Sequence, residues 1–412
     1  MAKAIIFDDG KGQLAPLTDT RAAFDIRTGA RTTLERLINE LELEISALFT
    51  PIRLAELTRE RHPGTHVNPS IPDSSDDSGL LLVNGRCPKP LAEIAALESG
   101  QSLVESSTGD VIAHRVAPSR SAREFLDALT PQGRVVRYEH HALISRPWHV
   151  RTFRDDCLMT DLVDMATLSF EPRLPGITFY GEFPISIHRN AKLYPGTILD
   201  LEHGPLVIDD GAIIRPGCIV VGPAYIGPHT TVLERTLIKA HTSIGPSCKV
   251  AGEIGGTIFQ GFANKAHDGH LGDSFIGEWS NLGAGTTNSN LLNTYGEVVA
   301  KATPGGPNEK TGQQFLGCII GDHVKTAICT RIMTGAVVHT GVMYAATAAM
   351  NGCLPPMAWV TDESPAGKKF FRFDKFEQIA RTVMARRKVE ASSAYMQRLR
   401  EIYQEVNPTQ LA

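Results

Sequence analysis

Starting at Ile208, every sixth residue is a β-branched aliphatic: Ile208, Ile214, Val220, Ile226, Val232, Ile238, Ile244 and Val250. Apolar residues make up roughly half of an average chain, so this register is not a product of composition. Four positions after each come Ala212, Cys218, Ala224, Thr230, Thr236, Thr242, Cys248 and Ile254, of which only the last is bulky. Gly or Pro recurs between them, as in Ile226-Gly227-Pro228 and Ile244-Gly245-Pro246. A period of six fits neither an amphipathic helix, at about 3.6, nor an alternating strand. It predicts a triangular coil with one short strand per side. The large aliphatic fills a narrow core, the small residue fits beside it, and Gly or Asp turns the corner. Successive coils then stack at strand spacing, about 4.8 Å, with their backbones paired.

The register is already present at Ile187 and Leu193, with Ala191 and Thr197 four residues on. It returns at Ile276 and Leu282, with Ser280 and Thr286, and again at Ile320, Ile332, Val338 and Tyr344, with Thr326 as a polar exception. The coil is therefore expected over residues 187–350. Two stretches break it. From Gly255 to Phe275 the period is lost, and from Asn288 to Gly317 an insertion rich in Asn, Gly and Pro replaces at least one coil. Asn288 falls where a core aliphatic belongs. Local rule-breaking of this kind points to functional sites, with a plain surface loop as the alternative.

The remaining chain reads differently. Residues 1–165 have an α/β pattern: a strand at Ala4–Phe7, helical spacing of Leu34, Leu37, Ile38 and Leu41, a polar loop from Pro63 to Gly79, and a buried strand at 80–83. A helix is expected at Phe125–Leu129 and a strand at Val135–His141. Residues 166–186 are read as a linker and 351–412 as a helical tail. In that tail Asp374-Lys375-Phe376-Glu377 resembles a capping box. Phe376, Ile379 and Val383 share a face, as do Tyr395, Leu399 and Ile402, and Arg386-Arg387-Lys388 reads as a solvated basic face.

Composition narrows the function classes. A chain of 412 residues calls for two domains, and a net charge of −4 gives no electrostatic footprint for nucleic acid or an acidic membrane surface. No run reaches membrane-spanning length, and the N-terminus lacks the apolar stretch of a signal peptide. The 7 Cys are scattered without metal-type spacing, which suggests reduced thiols in a cytoplasmic protein and no metal site.

Candidate chemistry lies in the first break and just after it. The chain reads Asn264-Lys265-Ala266-His267-Asp268-Gly269-His270-Leu271-Gly272-Asp273, then Asn281-Leu282-Gly283-Ala284-Gly285-Thr286. This stretch resembles the acetyltransferase half of the bacterial bifunctional enzymes that make UDP-N-acetylglucosamine. Those carry a K-A-x-H-x-x-Y-L-G-D run, an N-I-G-A-G-T run and an Asn-Tyr pair. The resemblance covers roughly residues 187–344 and implies the left-handed winding of known hexapeptide-repeat proteins. It also implies acetyl-CoA as donor and His267 as the general base, a residue type suited to taking a proton near neutrality. By the same resemblance Asn281 and Asn290 fall at the sugar site, and the backbone of Ala284 meets the acyl donor. Each has a plainer alternative: a loop histidine bonding its own turn, or asparagines in left-handed corners. There are departures. His270 stands for the family's sugar-binding Tyr, Gly255 and Gly256 stand near a missing basic pair, and Ile328 stands roughly for a serine near the donor.

The N-terminal stretch resembles the other half of those enzymes, a sugar-1-phosphate nucleotidyltransferase. The carrying residues are Gly10-Lys11-Gly12-Gln13-Leu14-Ala15-Pro16-Leu17-Thr18, Thr20-Arg21-Ala22-Ala23 and Leu34-Glu35. Gly10 and Gly12 keep a loop for close approach to a nucleotide. Leu14 and Ala23 replace an arginine and a lysine, and Arg86 stands where the family has a Mg²⁺-binding Asp. Phosphoryl transfer leans on positive charge and metal around the phosphates, so these losses argue against efficient nucleotidyl transfer. Mg²⁺ is expected only if this domain is active. Asp8 or Asp9 as a substitute ligand is set against a strand-end role. Taken together, the chain reads as an α/β nucleotidyltransferase-like domain, a left-handed β-helix and a helical tail. It is read as an acyltransferase acting on an amino sugar or sugar phosphate, and as a homotrimer. The alternatives are nucleotidyl transfer on a trimerising scaffold, or a binding protein with both sites degenerate.

Overall fold

A computed structural model describes residues 1–72, 74–166, 175–365 and 369–406. Contacts divide the chain into two compact units. The first comprises Met1–Gly12, Thr20–Ile26 and Arg31–Arg146; the second comprises Gln13–Asp19, Arg27–Ala30 and Pro147–Ala412.

The first unit is a six-stranded sheet built from β1 (Ala2–Phe7), β2 (Leu43–Phe49), β3 (Leu81–Asn84), β4 (Gln101–Glu105), β5 (Val111–Arg115) and β6 (Arg134–Tyr138). The order is β2-β1-β3-β5-β4-β6. β1 runs parallel to β2 and β3, whereas β5 is antiparallel to its neighbours β3 and β4. Helices α1 (Thr33–Glu40), α2 (Ala55–Arg61), α3 (Ala92–Ala95) and α4 (Ala122–Ala128) accompany the sheet. α1 opens with a capping box between Thr32 and Glu35, which satisfies two otherwise orphaned N–H groups. One core packs Ile6, Val83, Leu103 and Ile112 with Leu34 and Leu37 of α1; another packs Phe7 and Leu82 with Phe125 of α4.

The second unit contains a parallel β-helix with three faces. Face one stacks Thr178–Gly181, Ile198–Leu201, Ile219–Val221, Leu237–Ile238, Glu253–Gly255 and His270–Gly272. Face two runs from Ile185–Ile187 to Cys353–Leu354 through nine strands. Face three climbs from Lys192–Leu193 to Asn264–Lys265, passes through Asn281, and continues from Lys325–Thr326 to Trp359–Val360. All eight aliphatics of the six-residue register are buried in one core. The small residues lie beside them, and three threonine hydroxyls enter this dry space by bonding carbonyls: Thr230 to Gly245, Thr236 to Leu233 and Thr242 to Lys239. The coil begins before Ile187 and ends after residue 350, because Phe179 and Ile185 below and Val360 above also pack on this core.

The expected first break does not exist as a break. Between Gly255 and Phe275 the coil continues, with Phe259, Lys265 and Leu271 facing inward after Ile254. Three sides are short, Val250 to Ile254 by two residues and Ile254 to Phe259 and Leu271 to Ile276 by one each, so the arithmetic period slips while the winding persists. The second break is real. Residues 299–300 and 309–310 form a small antiparallel hairpin, and Gln313, near the end of this insertion, donates through Nε2 to Trp148 O and Thr152 Oγ1.

Three helices complete the unit. α5 (His149–Met165) packs Leu158 and Leu162 against Val207 and Tyr225 of face two. α6 (Phe373–Ala385) and α7 (Ser393–Val406) form the tail. Asp374 does not cap α6: the helix starts two residues earlier than such a cap would set it, Arg372 is its N-cap without a side-chain bond, and Asp374 pairs with Arg372. The stripe α6 buries is Phe373, Phe376, Ala380 and Met384, with Ile379 and Val383 at its margin. Tyr395, Leu399 and Ile402 of α7 are buried as their spacing predicts. Most of the expected linker, 167–174, and the last residues of the tail lie outside the described residues.

Candidate functional site

His267 sits at the corner between faces three and one, on the turn joining Asn264–Lys265 to His270–Gly272. It is exposed, and its ring has no hydrogen-bond partner among the described residues. The backbone beneath it is held from inside. Lys265 occupies a core position, paired in register with Val250, and is 1% exposed. Its Nζ donates to the carbonyls of His267 at 2.5 Å, Asp268 at 3.0 Å and Ala251 at 3.4 Å. Burial lowers the Lys265 pKa from 10.5 to about 8. The next coil stacks its own corner on this turn, since Gly285 N donates to Asp268 O at 3.1 Å. Ala284 belongs to that upper corner, and one level higher Cys329 N donates to Ala284 O, beside the exposed Ile328. His267, Ala284 and Ile328 therefore share one corner of the coil.

On face one, His270 and Asn290 converge over Gly272. A Cβ added at Gly272 would come within 2.7 Å of both His270 Nε2 and Asn290 Nδ2, so only glycine leaves them this approach. His270 Nδ1 lies 3.4 Å from Glu253, which also pairs with Lys239. Asn290 donates to Asp273 Oδ2 at 2.8 Å. Arg154 of α5 donates to the other Asp273 oxygen at 2.8 Å and to the carbonyl of Gly256, and Arg151 lies 3.3 Å from Asp273. Asp155 next to them is opposed by burial, but His241 and Arg154 outweigh that and hold its carboxyl below the usual range. Cations absent from the sequence at Gly255 and Gly256 thus reach the same place from α5. Nothing in their spacing could have shown this, because they lie about a hundred positions away in the chain.

Asn288 has a structural task. It is 6% exposed at a core position, and its amide takes Gly272 N at 2.8 Å and gives to Gly272 O at 2.9 Å and Ser274 Oγ at 3.1 Å. The side chain continues the ladder of face one where the backbone strand ends. Asn281 stands apart from His270 and Asn290. It lies on face three, where its Oδ1 accepts from Asn264 Nδ2 at 2.6 Å.

In the first unit Gly10 and Gly12 adopt φ of 66° and 82°, which favours glycine at both. Asp8 turns back to this loop, accepting from Gly10 N at 2.9 Å and Ala23 N at 2.8 Å, and its burial raises its pKa. Arg86 is fully buried and grips Asp9 with two bonds, Nε to Oδ1 at 2.8 Å and Nη2 to Oδ2 at 2.7 Å. The same Nη2 reaches Asp110 at 2.7 Å, and Lys11 closes the other Asp110 oxygen at 2.9 Å. Asp9 and Asp110 are thus committed to a guanidinium and an ammonium, and Asp8 to two backbone N–H groups. A divalent ion would have to displace them, so this donor set does not fit Mg²⁺. Among the described residues no helix is long and apolar enough to cross a membrane.

Residues 4–167 match the family described as sugar nucleotidyl transferase. A bifunctional sugar-1-phosphate nucleotidylyltransferase/acetyltransferase of Sulfurisphaera tokodaii is 30% identical over 144 residues, 32% of this chain and 33% of that one. The bifunctional protein GlmU of Buchnera aphidicola subsp. Baizongia pistaciae is 26% identical over 225 residues, 48% of this chain and 44% of the other. The chain thus spans less than half the length of these relatives. The solved polysialic acid O-acetyltransferase OatWY overlaps 48% of this chain and 88% of its own, at 16% identity and a TM-score of 0.25.

Proposed function

We propose, for a chain that belongs to the sugar nucleotidyltransferase/acetyltransferase family and matches its nucleotidyl transferase part over residues 4–167, that the β-helix is an acyltransferase. The donor is acetyl-CoA and the acceptor is the amine of an amino sugar or sugar phosphate. The carrying observation is the His267 corner: an exposed, unpartnered imidazole on a turn pinned from below by Lys265. In the reaction the amine nitrogen attacks the thioester carbonyl carbon. His267 takes the proton the nitrogen sheds, the C–S bond breaks, and the proton passes to the leaving thiolate. Such a base is worth about 10²–10⁴ in rate. His270 and Asn290 contact the acceptor over Gly272, and Arg151 and Arg154 hold Asp273, which in turn orients Asn290. Ala284 offers backbone to the donor. Asn281 belongs to the acceptor group by resemblance only. The test is thiol release from acetyl-CoA in the presence of a panel of amino sugars and their phosphates. A protein inert toward every acceptor would count against the reading.

The match of residues 4–167 favours a second reading, sugar-1-phosphate nucleotidyl transfer. Against it stands Arg86 in the grip of Asp9 and Asp110. The first unit is expected to bind a nucleotide or sugar without turning it over. Brisk Mg²⁺-dependent pyrophosphate release from any NTP and sugar-1-phosphate would put this reading first.

A further inference from the structure

Face three carries charge that acyl transfer at His267 leaves unused. Between this face and the C-terminal end of α6 lies a cavity of about 360 Å³. Lys249 and Lys325 reach it from the coil, and Arg386 and Arg387 from the helix end. No acidic residue lines it, and none of the four cations has an ion-pair partner among the described residues. Arg387 donates to Ser247 O at 3.0 Å, and Lys325 Nζ donates to the Trp279 carbonyl. Cations at a helix C-terminus complement its dipole, which accounts for Arg386 and Arg387 alone. It does not account for two coil lysines converging on the same space. Lys325 is the costly one: burial takes its pKa from 10.5 to about 7, the mark of an ammonium with no counter-charge nearby.

The rest of the lining is suited to a flat ring. Phe262 and Trp279 both line the cavity and stack on one another at 4.4 Å and 18°. Asn264 and Asn281 are locked together through one amide hydrogen and one oxygen, which leaves the other oxygen and the other amide group for a polar ring edge.

We propose that this cavity is a binding site for a nucleoside phosphate, with its phosphates on the lysine–arginine cluster and its base against Phe262 and Trp279. Guanidinium groups suit phosphate geometry, and base–aromatic stacking tolerates any base. The free nucleotide and the nucleotide end of coenzyme A share this chemistry. The site neither includes His267 nor depends on its role.

Equilibrium dialysis of the full chain against labelled ADP, with coenzyme A, pyrophosphate and adenosine as competitors, tests the proposal. ADP should bind and pyrophosphate should compete, whereas adenosine should compete far less. Arg386→Glu and Lys249→Glu change solvent-facing residues, so folding is not at stake. Each should weaken ADP binding about 10-fold or more, the range of a lost charge-assisted contact. His267→Ala should bind ADP as the unaltered protein does. Tighter competition by coenzyme A than by ADP would mark the acyl donor as the source, and equal competition a free nucleotide. ADP binding that neither charge reversal alters would belong to the Gly10–Gly12 loop and would overturn the proposal, as would no binding at millimolar ADP.

Discussion

At Lys265 the coil holds an ammonium where the levels below it on face three hold Leu193, Ile214, Val232 and Val250. Its three carbonyl acceptors tie down the turn that carries His267. Burial disfavours the charged form of that ammonium. The folded chain releases the proton near pH 8 and the unfolded chain near 10.5. Between those values the unfolded state binds more protons, so stability rises with pH across that window. Urea unfolding at pH 7.5 and pH 10 should show a larger gain in the unaltered protein than in Lys265→Met, which keeps only the part that buried Lys325 contributes. Equal pH responses in the two would refute the assignment. Arg86 gives a second test at this scale. Arg86→Ala leaves Asp9 buried without its partner, and breaking such a pair costs about 3–5 kcal/mol. A change within error in urea unfolding would show that the pair is not what holds the loop.

The elements show what a periodic pattern can and cannot reveal. Six-residue spacing was sufficient to place the coil and its inward residues, because a narrow core admits only aliphatics at one position per side. Strict counting failed between Gly255 and Phe275, since three short sides shift the register while leaving the pairing intact. His267 was legible through its neighbouring motif, but the corner that exposes it is an ordinary one. The cations around Asn290 were not legible at all, because α5 brings them from outside the repeat. The basic run at Arg386 read as a solvated face, and its link to Lys249 across the cavity is a product of tertiary packing. Asn288 marks the boundary where the ladder of face one passes from backbone to side chain. Asn288→Ala strands the Gly272 N–H in a buried place, while the carbonyl keeps Ser274 Oγ, and the lost partner costs about 1–3 kcal/mol. The loss should appear in thermal unfolding, and hydrogen exchange at Gly272 should accelerate with it.

At the scale of the whole molecule, we expect a homotrimer. The insertion and the nearby corners expose Tyr295 at 70%, Phe315 at 42%, Ile328 at 73% and Met333 at 45%. Exposed apolar groups of this size are what a contact with a second copy would cover. Gln313 anchors the end of the insertion to α5, so the exposed residues are held on a fixed base. Light scattering at micromolar concentration should give three chain masses, and Phe315→Asp together with Ile328→Asp should lower that number. A single chain mass for the unaltered protein would contradict the expectation.

We propose that His267 takes the proton of an attacking amine. The direct measurement is turnover of acetyl-CoA with the best acceptor from the panel, comparing the unaltered protein with His267→Ala and His270→Ala. His267→Ala should lower kcat by about 10²–10⁴ with donor binding nearly unchanged, and His270→Ala should mainly raise the acceptor KM. Turnover by His267→Ala close to that of the unaltered protein would contradict that role.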